Sequence, residues 1–487
     1  VASIPNDRPG EFKIRTHSDP DFPVAGINNS RWVHAISETN LDVQWGNGTV
    51  TNIMAYRKVN EISDGDLDGT DLPGYEFHTG AKTAQEQFSN ELRYAGTFAD
   101  DKASVAFGAY WFEQTLGYSA YRQLDFSGLG STDQDRFTYG GFSEHKTWGV
   151  FGNVDYQLYD ELSVSFGARY TYEEKDIEAA IARSDINSLP GEPTVGLGGC
   201  SYDKGGTDSI HCAADFIDDD DWSSVTPRIA VQYYYNDSSH VYFSWSKGFR
   251  SGGYNVRNTA ANQVPGPWDK ESQNTWELGM KSEFDDGRVR FNVAFFLNQV
   301  KDMIRETIFN DEDLNTIQQI RNTADADITG AEIDLTWLAT DNLVLFMNAG
   351  YLDGEYKEVI GDLDRSGVVD SDDKNLVLPR LARWTGSVGG NYDIPTDMGL
   401  YSMRVGYSHR TSGFFSDSNI DDLSSHDELT AGLSFITPDG KWKASLFGKN
   451  LLDQVQRVTQ FTLPGGVSAF SPIKKGRVIG VELEYQY

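Results

Sequence analysis

The chain has 487 residues, 39% hydrophobic and 13% aromatic, with 48 Gly and a formal net charge of −32. That charge excludes nucleic acid as a partner, since neutralising phosphates needs Lys and Arg. It leaves cations, cationic ligands or the solubility of long acidic loops, and no apolar run approaches the roughly 18 residues of a transmembrane helix.

Residues 1–30 read as a loop leading into the fold, and no secretory signal opens them, which implies a mature or truncated chain. The first strand follows around "RWVHAISETNLDVQW" and ends in a tight turn at 46–48. The next connection, 57–86, is long and contains "DGDLDG". There Asp64, Asp66 and Asp68 are spaced like metal ligands, but Leu72 and Tyr75 occupy the closing positions, so the stretch reads as solvated loop.

Beyond the turn at 99–102 and the loop 117–138, "LSVSFGARYTY" alternates strictly. Leu162, Val164, Phe166, Ala168, Tyr170 and Tyr172 share one face, and Ser163, Ser165, Arg169 and Thr171 share the other. The loop 176–221 holds the two cysteines, Cys200 and Cys212, predicted to form a disulfide in an exported loop. It ends in "DFIDDDDW" (215–222), read as a solvated loop base, with cation or lipopolysaccharide bridging as the alternative.

Further along, "RVRFNVAFFLN", "YSMRVGYSHR" and "WKASLFGK" repeat the alternation, and the chain closes on "VIGVELEYQY". Short turns at 159–161, 236–239, 285–287, 339–342, 395–399 and 438–441 alternate with long loops at 250–272, 306–318, 354–381, 413–427 and 459–467. Short periplasmic turns alternating with long extracellular loops mark an outer-membrane barrel. Many of the predicted strands run 10–15 residues or more, against about 5–6 in soluble sheets.

The fold class is therefore all-β: a large antiparallel transmembrane β-barrel with about seventeen strands visible. An odd count cannot close an up-and-down barrel, and bacterial single-chain barrels are even. Residues 31–487 are thus expected to be the C-terminal portion of a larger barrel.

One loop carries a metal-binding pattern. In "DLDRSGVVDSDD", Asp362, Asp364, Ser366, Asp370 and Asp373 fall at positions 1, 3, 5, 9 and 12 of an EF-hand loop. Gly367 stands at position 6 for the sharp turn, and Val368 offers its carbonyl at position 7. The flanks read as strands, so a moving sensor is not expected. The expectation is structural calcium ordering an extracellular loop; the alternative is an acidic loop without metal.

"FGARYTYEEKD", "DWSSVTPRIAVQY", "YFSWSKGFRSGGYN", "NTWELGMKSEFDDGRVRFNVAFF", "ADADITGAEIDLTW" and "FGKNLLDQ" together resemble TonB-dependent outer-membrane receptors, a similarity running from about residue 31 to the end. The resemblance implies a 22-stranded barrel around an N-terminal plug, in the outer membrane of a Gram-negative bacterium. The plug and the first strands are not visible in this sequence.

It further implies import of a scarce solute (ferric siderophore, haem, cobalamin or oligosaccharide) using inner-membrane energy. The implied partners are TonB, through a segment not visible here, the outer-membrane lipid with its lipopolysaccharide, and the solute itself. A passive porin-like channel and a structural or surface-attachment barrel are the alternatives. No enzyme motif stands out and no catalytic cofactor is expected.

Trp245, Lys247, Phe249, Arg250, Tyr254 and Arg257, near the outer end of one strand, are candidate ligand contacts. The competing reading makes the aromatics an outer girdle and the Arg a lumen lining.

Overall fold

The computed structural model describes residues 27–66, 76–125, 134–184, 210–257, 264–310, 316–364, 366–420, 422–459, 461–462, 469–471 and 473–487. The strands are β1 (Ile27–Val43), β2 (Gly48–Asp66), β3 (Glu76–Phe98), β4 (Ala103–Asp125), β5 (Gln134–Tyr159), β6 (Leu162–Ser184), β7 (Ile210–Asn236), β8 (Ser239–Arg250), β9 (Glu271–Phe284), β10 (Val289–Asn310), β11 (Thr316–Thr340), β12 (Leu343–Val359), β13 (Trp384–Thr396), β14 (Gly399–Arg410), β15 (Gly413–Phe414), β16 (Asp422–Leu423), β17 (His426–Ile436), β18 (Trp442–Lys449), β19 (Phe461–Thr462), β20 (Ala469–Phe470) and β21 (Val478–Tyr485). A single helical turn, α1 (Ser371–Lys374), sits between β12 and β13.

Seventeen of the strands form one sheet in which each pairs antiparallel with its neighbour in the chain. The pairs β15–β16 and β19–β20 are separate small hairpins in the connections. Among the described residues β1 and β21 lie at the two edges, with no pairing between them. Connections of two to five residues at one end alternate with long ones at the other, as the alternation of turns and loops predicts.

Register shows how the faces are assigned. Trp111 stands opposite Trp148, and Trp148 opposite Tyr172; further round, Trp245 stands opposite Trp276 and Tyr351 opposite Trp384. One step higher on that same outward face the residues become charged: Glu113 faces Lys146, Lys146 faces Glu174, and Glu174 faces Asp221. An aromatic belt giving way to charge marks a lipid–water boundary.

Below it, Leu162 to Tyr172 spans ten residue steps of β6. At about 3.3 Å per step and a tilt of roughly 40° that run climbs about 25 Å, the height of a barrel's apolar band. The opposite face is polar. Gln85 and Gln87 donate to Gln114, Asn153 donates to Asp155, and the Arg169 guanidinium lies 5.4 Å from the Tyr110 ring.

Strands intrude on several predicted loops. β2 runs to Asp66, β3 opens at Glu76, β6 runs to Ser184 and β7 opens at Ile210. The acidic run 215–222 is therefore strand, not loop base. Above the belt both faces meet water, so the apolar alternation fades while the backbone ladder continues. The predicted Cys200–Cys212 bridge lies outside the described residues, as do Asp68, Leu72 and Tyr75.

Candidate functional site

The connection 360–383 folds back over the polar face of β10–β12. Val300 lies on the face opposite Leu297 and pairs with Ala326, which pairs with Tyr356. Leu363 and Leu378 bury themselves against these residues and Met303, with Leu376 and Leu381 at the margin. Gly354 makes this possible: a Cβ there would stand 2.5 Å from Leu378 Cδ1 and 2.8 Å from Leu381 Cδ1.

The neighbouring connection, 411–425, clamps the first. Asn419 donates to the Val377 carbonyl and accepts from its N–H, both at 2.8 Å, and the Arg380 N–H donates to the Phe414 carbonyl. Tyr356 donates its hydroxyl proton to Asp417 Oδ1 at 3.1 Å. Arg305 Nε stands 3.3 Å from the same oxygen. That Nε has no aligned hydrogen-bond partner, so its contact is Coulombic. The two connections thus form one inward-folded unit at the long-loop end of the lumen.

Within this unit the metal-type loop is built around Asp373, which is 0% exposed. Its Oδ1 accepts from the N–H groups of Leu363 (2.7 Å) and Asp364 (2.9 Å), and its Oδ2 from that of Asp370 (2.9 Å). Asp362 accepts from the Ser366 and Gly367 N–H groups, and Asp364 also accepts from Ser366 N–H at 2.8 Å. Gly367 has φ 88°, the left-handed turn that favours glycine. The bond from the Ser366 N–H foremost holds the Asp364 carboxyl below the usual carboxylate range.

The side chains of Asp362, Asp364 and Asp373 bring carboxylate oxygens within 4.8 Å of one another, an arrangement able to hold a cation. Asp370 does not join them: it caps α1 by accepting from Asp372 N–H at 2.7 Å. Ser366 directs its hydroxyl to the Val368 carbonyl at 3.1 Å. Three of the six predicted ligands therefore converge, while Asp370, Ser366 and Val368 make other bonds.

The predicted contacts on and after β8 divide between two faces. Trp245 points outward beside Trp276, ring centroids 5.7 Å apart, with Lys247 and Phe249 on the same alternating face. Arg250 lies on the other face, bonded to Glu271 at 3.0 Å and to the Ile304 carbonyl at 2.9 Å. Tyr254 donates to Asp218 at 3.1 Å, and its ring meets the buried Trp222. The Arg257 backbone N–H donates to Asn255. Trp245 thus stands in the girdle, and Arg250 lies on the lumen face.

Sequence reasoning missed Lys175, which ties the connection after β8 to the wall. Its ammonium donates to Ser251 Oγ and the Gly252 carbonyl, both at 2.6 Å, and lies 5.4 Å from the Trp222 ring. The signal was present: Lys175 falls on the polar face of β6, in register with Asp220 on β7.

A wall of this kind, with short turns at one end and inward-folded loops at the other, defines an outer-membrane barrel of the receptor class. Residues 5–451 match the family described as TonB dependent receptor-like, beta-barrel, and the chain belongs to that family, whose place is the outer membrane of Gram-negative bacteria.

Among curated relatives, the pesticin receptor of Yersinia pestis is 20% identical over 351 residues, 71% of this chain and 45% of the relative. The pesticin receptor of Yersinia enterocolitica is 21% identical over 404 residues, 82% and 51% of the two chains. The chain thus spans about half the length of the curated relatives it matches.

Of solved structures, the ferric yersiniabactin uptake receptor FyuA from Yersinia pestis aligns with TM-score 0.69 at 17% identity, over 94% of this chain and 61% of that one. The siderophore receptor PiuA from Acinetobacter baumannii aligns with TM-score 0.69 at 14% identity, over 95% and 65%. These likenesses establish a shared fold.

Proposed function

We propose that this chain is the barrel of a receptor that imports a scarce solute across the outer membrane, powered from the inner membrane through TonB. The observation that carries it is the family match over residues 5–451, joined to a polar lumen whose mouth is partly covered by folded loops. Relatives described as uptake and siderophore receptors put a ferric siderophore first, ahead of haem, cobalamin and oligosaccharide.

The test is growth of a deletion strain carrying the full-length gene on each solute as sole source, with and without TonB. Growth that needs both supports import. Growth indifferent to TonB would instead indicate a passive channel, and none on any solute a structural barrel.

The second part of the proposal is that the 360–383 connection takes a calcium ion for structure. Its support is the convergence of Asp362, Asp364 and Asp373 at EF-hand spacing. Ser366, Val368 and Asp370 would complete the shell by reorienting, and a site facing the medium suits affinities of about 10⁻⁴–10⁻³ M. Calcium should raise protease resistance at 360–375, and Asp362→Ala with Asp364→Ala should abolish that gain. Identical cleavage with calcium and with chelator would sink this part.

A further inference from the structure

The lipid-facing wall carries polar side chains where hydrocarbon cannot satisfy them. Asn90 of β3 pairs with Trp111 of the aromatic belt and so faces outward, and its partner on β2 is Met54. Alternation puts Asn52 on that same face, where it pairs with Leu92 on β3 and Thr39 on β1. Ser37 of β1, paired with Met54, joins the patch.

Depth makes the patch unusual. Asn52 lies four steps along β2 below Tyr56, which pairs with Phe88 at belt height, and four steps above Gly48, where β2 begins beside Trp45. At about 3.3 Å per step and a tilt of roughly 40°, Asn52 sits about 10 Å inside each boundary, near the middle of the apolar band. At comparable depth the outward face carries Phe166 on β6, Ile229 on β7, Phe243 on β8 and Leu433 on β17.

The hydrogen bonds of the patch are incomplete. Asn52 Nδ2 donates to the Glu91 carbonyl at 3.1 Å and to Asn90 Oδ1 at 3.3 Å. Among the described residues, Asn52 Oδ1 accepts from no donor, and the exposed Ser37 and Thr39 hydroxyls meet no partner. A polar group left bare in hydrocarbon is costly, because no water reaches it. Polar side chains at such depth characteristically bond from one spanning element to another.

We propose that this patch is where two copies of the receptor pair side by side within the outer membrane. Acyl tails offer no donor at mid-depth, so the missing partner is protein. A second copy in the same orientation carries Thr39 and Asn52 at the same depth. A two-fold axis along the membrane normal then lets each copy's Thr39 hydroxyl donate to the other's Asn52 Oδ1, a reciprocal contact of the isologous kind. Met54, Leu92 and Leu41, all exposed, close around this polar centre and exclude lipid. The pairing is independent of the import reading.

The experiment is fluorescence energy transfer between donor- and acceptor-labelled full-length receptor in liposomes, followed as the protein is diluted with lipid. Transfer should obey a monomer–dimer equilibrium. Asn52→Leu with Thr39→Val removes both reciprocal bonds and should weaken the dimer at least tenfold. The variant should still fold, since it makes a lipid-facing surface more apolar, and heat-dependent gel migration reports this. Asn52→Gln, which keeps the amide, should retain most of the pairing, and Phe243→Leu, further round the wall, should change nothing.

A wild type that stays monomeric at every density overturns the proposal, as does a folded double variant that pairs as tightly as wild type. A photo-reactive residue at position 54 in living cells should give a cross-linked band of twice the receptor's mass. A band containing another protein or lipopolysaccharide instead assigns the patch to that neighbour and overturns self-pairing.

Discussion

Replacing Asp373 by asparagine preserves shape and removes one acceptor from the loop's buried centre. The carboxylate takes three backbone N–H donors, two on Oδ1 and one on Oδ2. An asparagine keeps one oxygen. Turned to hold Leu363 and Asp364, its amide nitrogen meets the Asp370 N–H, donor against donor; turned the other way, two donors are orphaned.

One unmatched buried donor costs about 1–3 kcal/mol, and the two surviving bonds lose their charge assistance. Since 1.36 kcal/mol is a factor of ten, opening of the loop should become roughly ten- to a hundredfold more frequent. Hydrogen exchange at the amides of Leu363, Asp364 and Asp370, in chelator, reads this directly. Exchange unchanged from wild type would show that the carboxylate does not anchor the loop. The same measurement separates anchor from ligand: Asp362→Ala with Asp364→Ala should matter far more with calcium present than without.

Gly354→Ala should drive Leu378 and Leu381 off the wall, at about 1–3 kcal/mol for overpacking, and expose 376–381 to protease; an unaltered cleavage map would refute the inward packing. Asn419→Ala removes both bonds to Val377, each worth about 0.5–1.5 kcal/mol. Both connections should then become protease-sensitive together, and sensitivity in only one would show that they are not a unit. The lowered carboxyl of Asp364 contributes stability that is present above the ordinary aspartate value of about 3.9. That stability drains away as pH falls through its own lower value. Acid cleavage at 362–370 by pepsin should therefore rise only below about pH 4, and a rise already at pH 5–6 would point to another group.

The strands were legible wherever lipid wets one face, because solvent asymmetry writes the period into "LSVSFGARYTY" and "RVRFNVAFFLN". They were illegible where "DFIDDDDW" continues β7 with water on both sides. The metal-type loop was legible in its spacing, and three of its carboxylates do meet. That Asp370 would cap a helical turn could not be read, since N-cap and ligand demand the same residue type.

The inward fold of that loop was also hidden. Leu363, Leu376, Leu378 and Leu381 carry no period, and Gly354 is one strand glycine among many. Trp245 and Arg250 are five residues apart, and period two alone would have put them on opposite faces.

The strands end at very different heights. From Trp222, beside the top of the belt, β7 continues twelve steps to Ile210. At about 3.3 Å per step and a tilt of roughly 40° that is about 30 Å. A headgroup layer adds only about 5–8 Å beyond the hydrocarbon. β17, by contrast, stops at His426, three residues past Leu429.

Among the described residues the strand wall is therefore a slope, high on the β4–β7 side and low where β17, β18 and β21 end. Solute approaching from the β17 side crosses less strand wall than solute approaching from the β7 side.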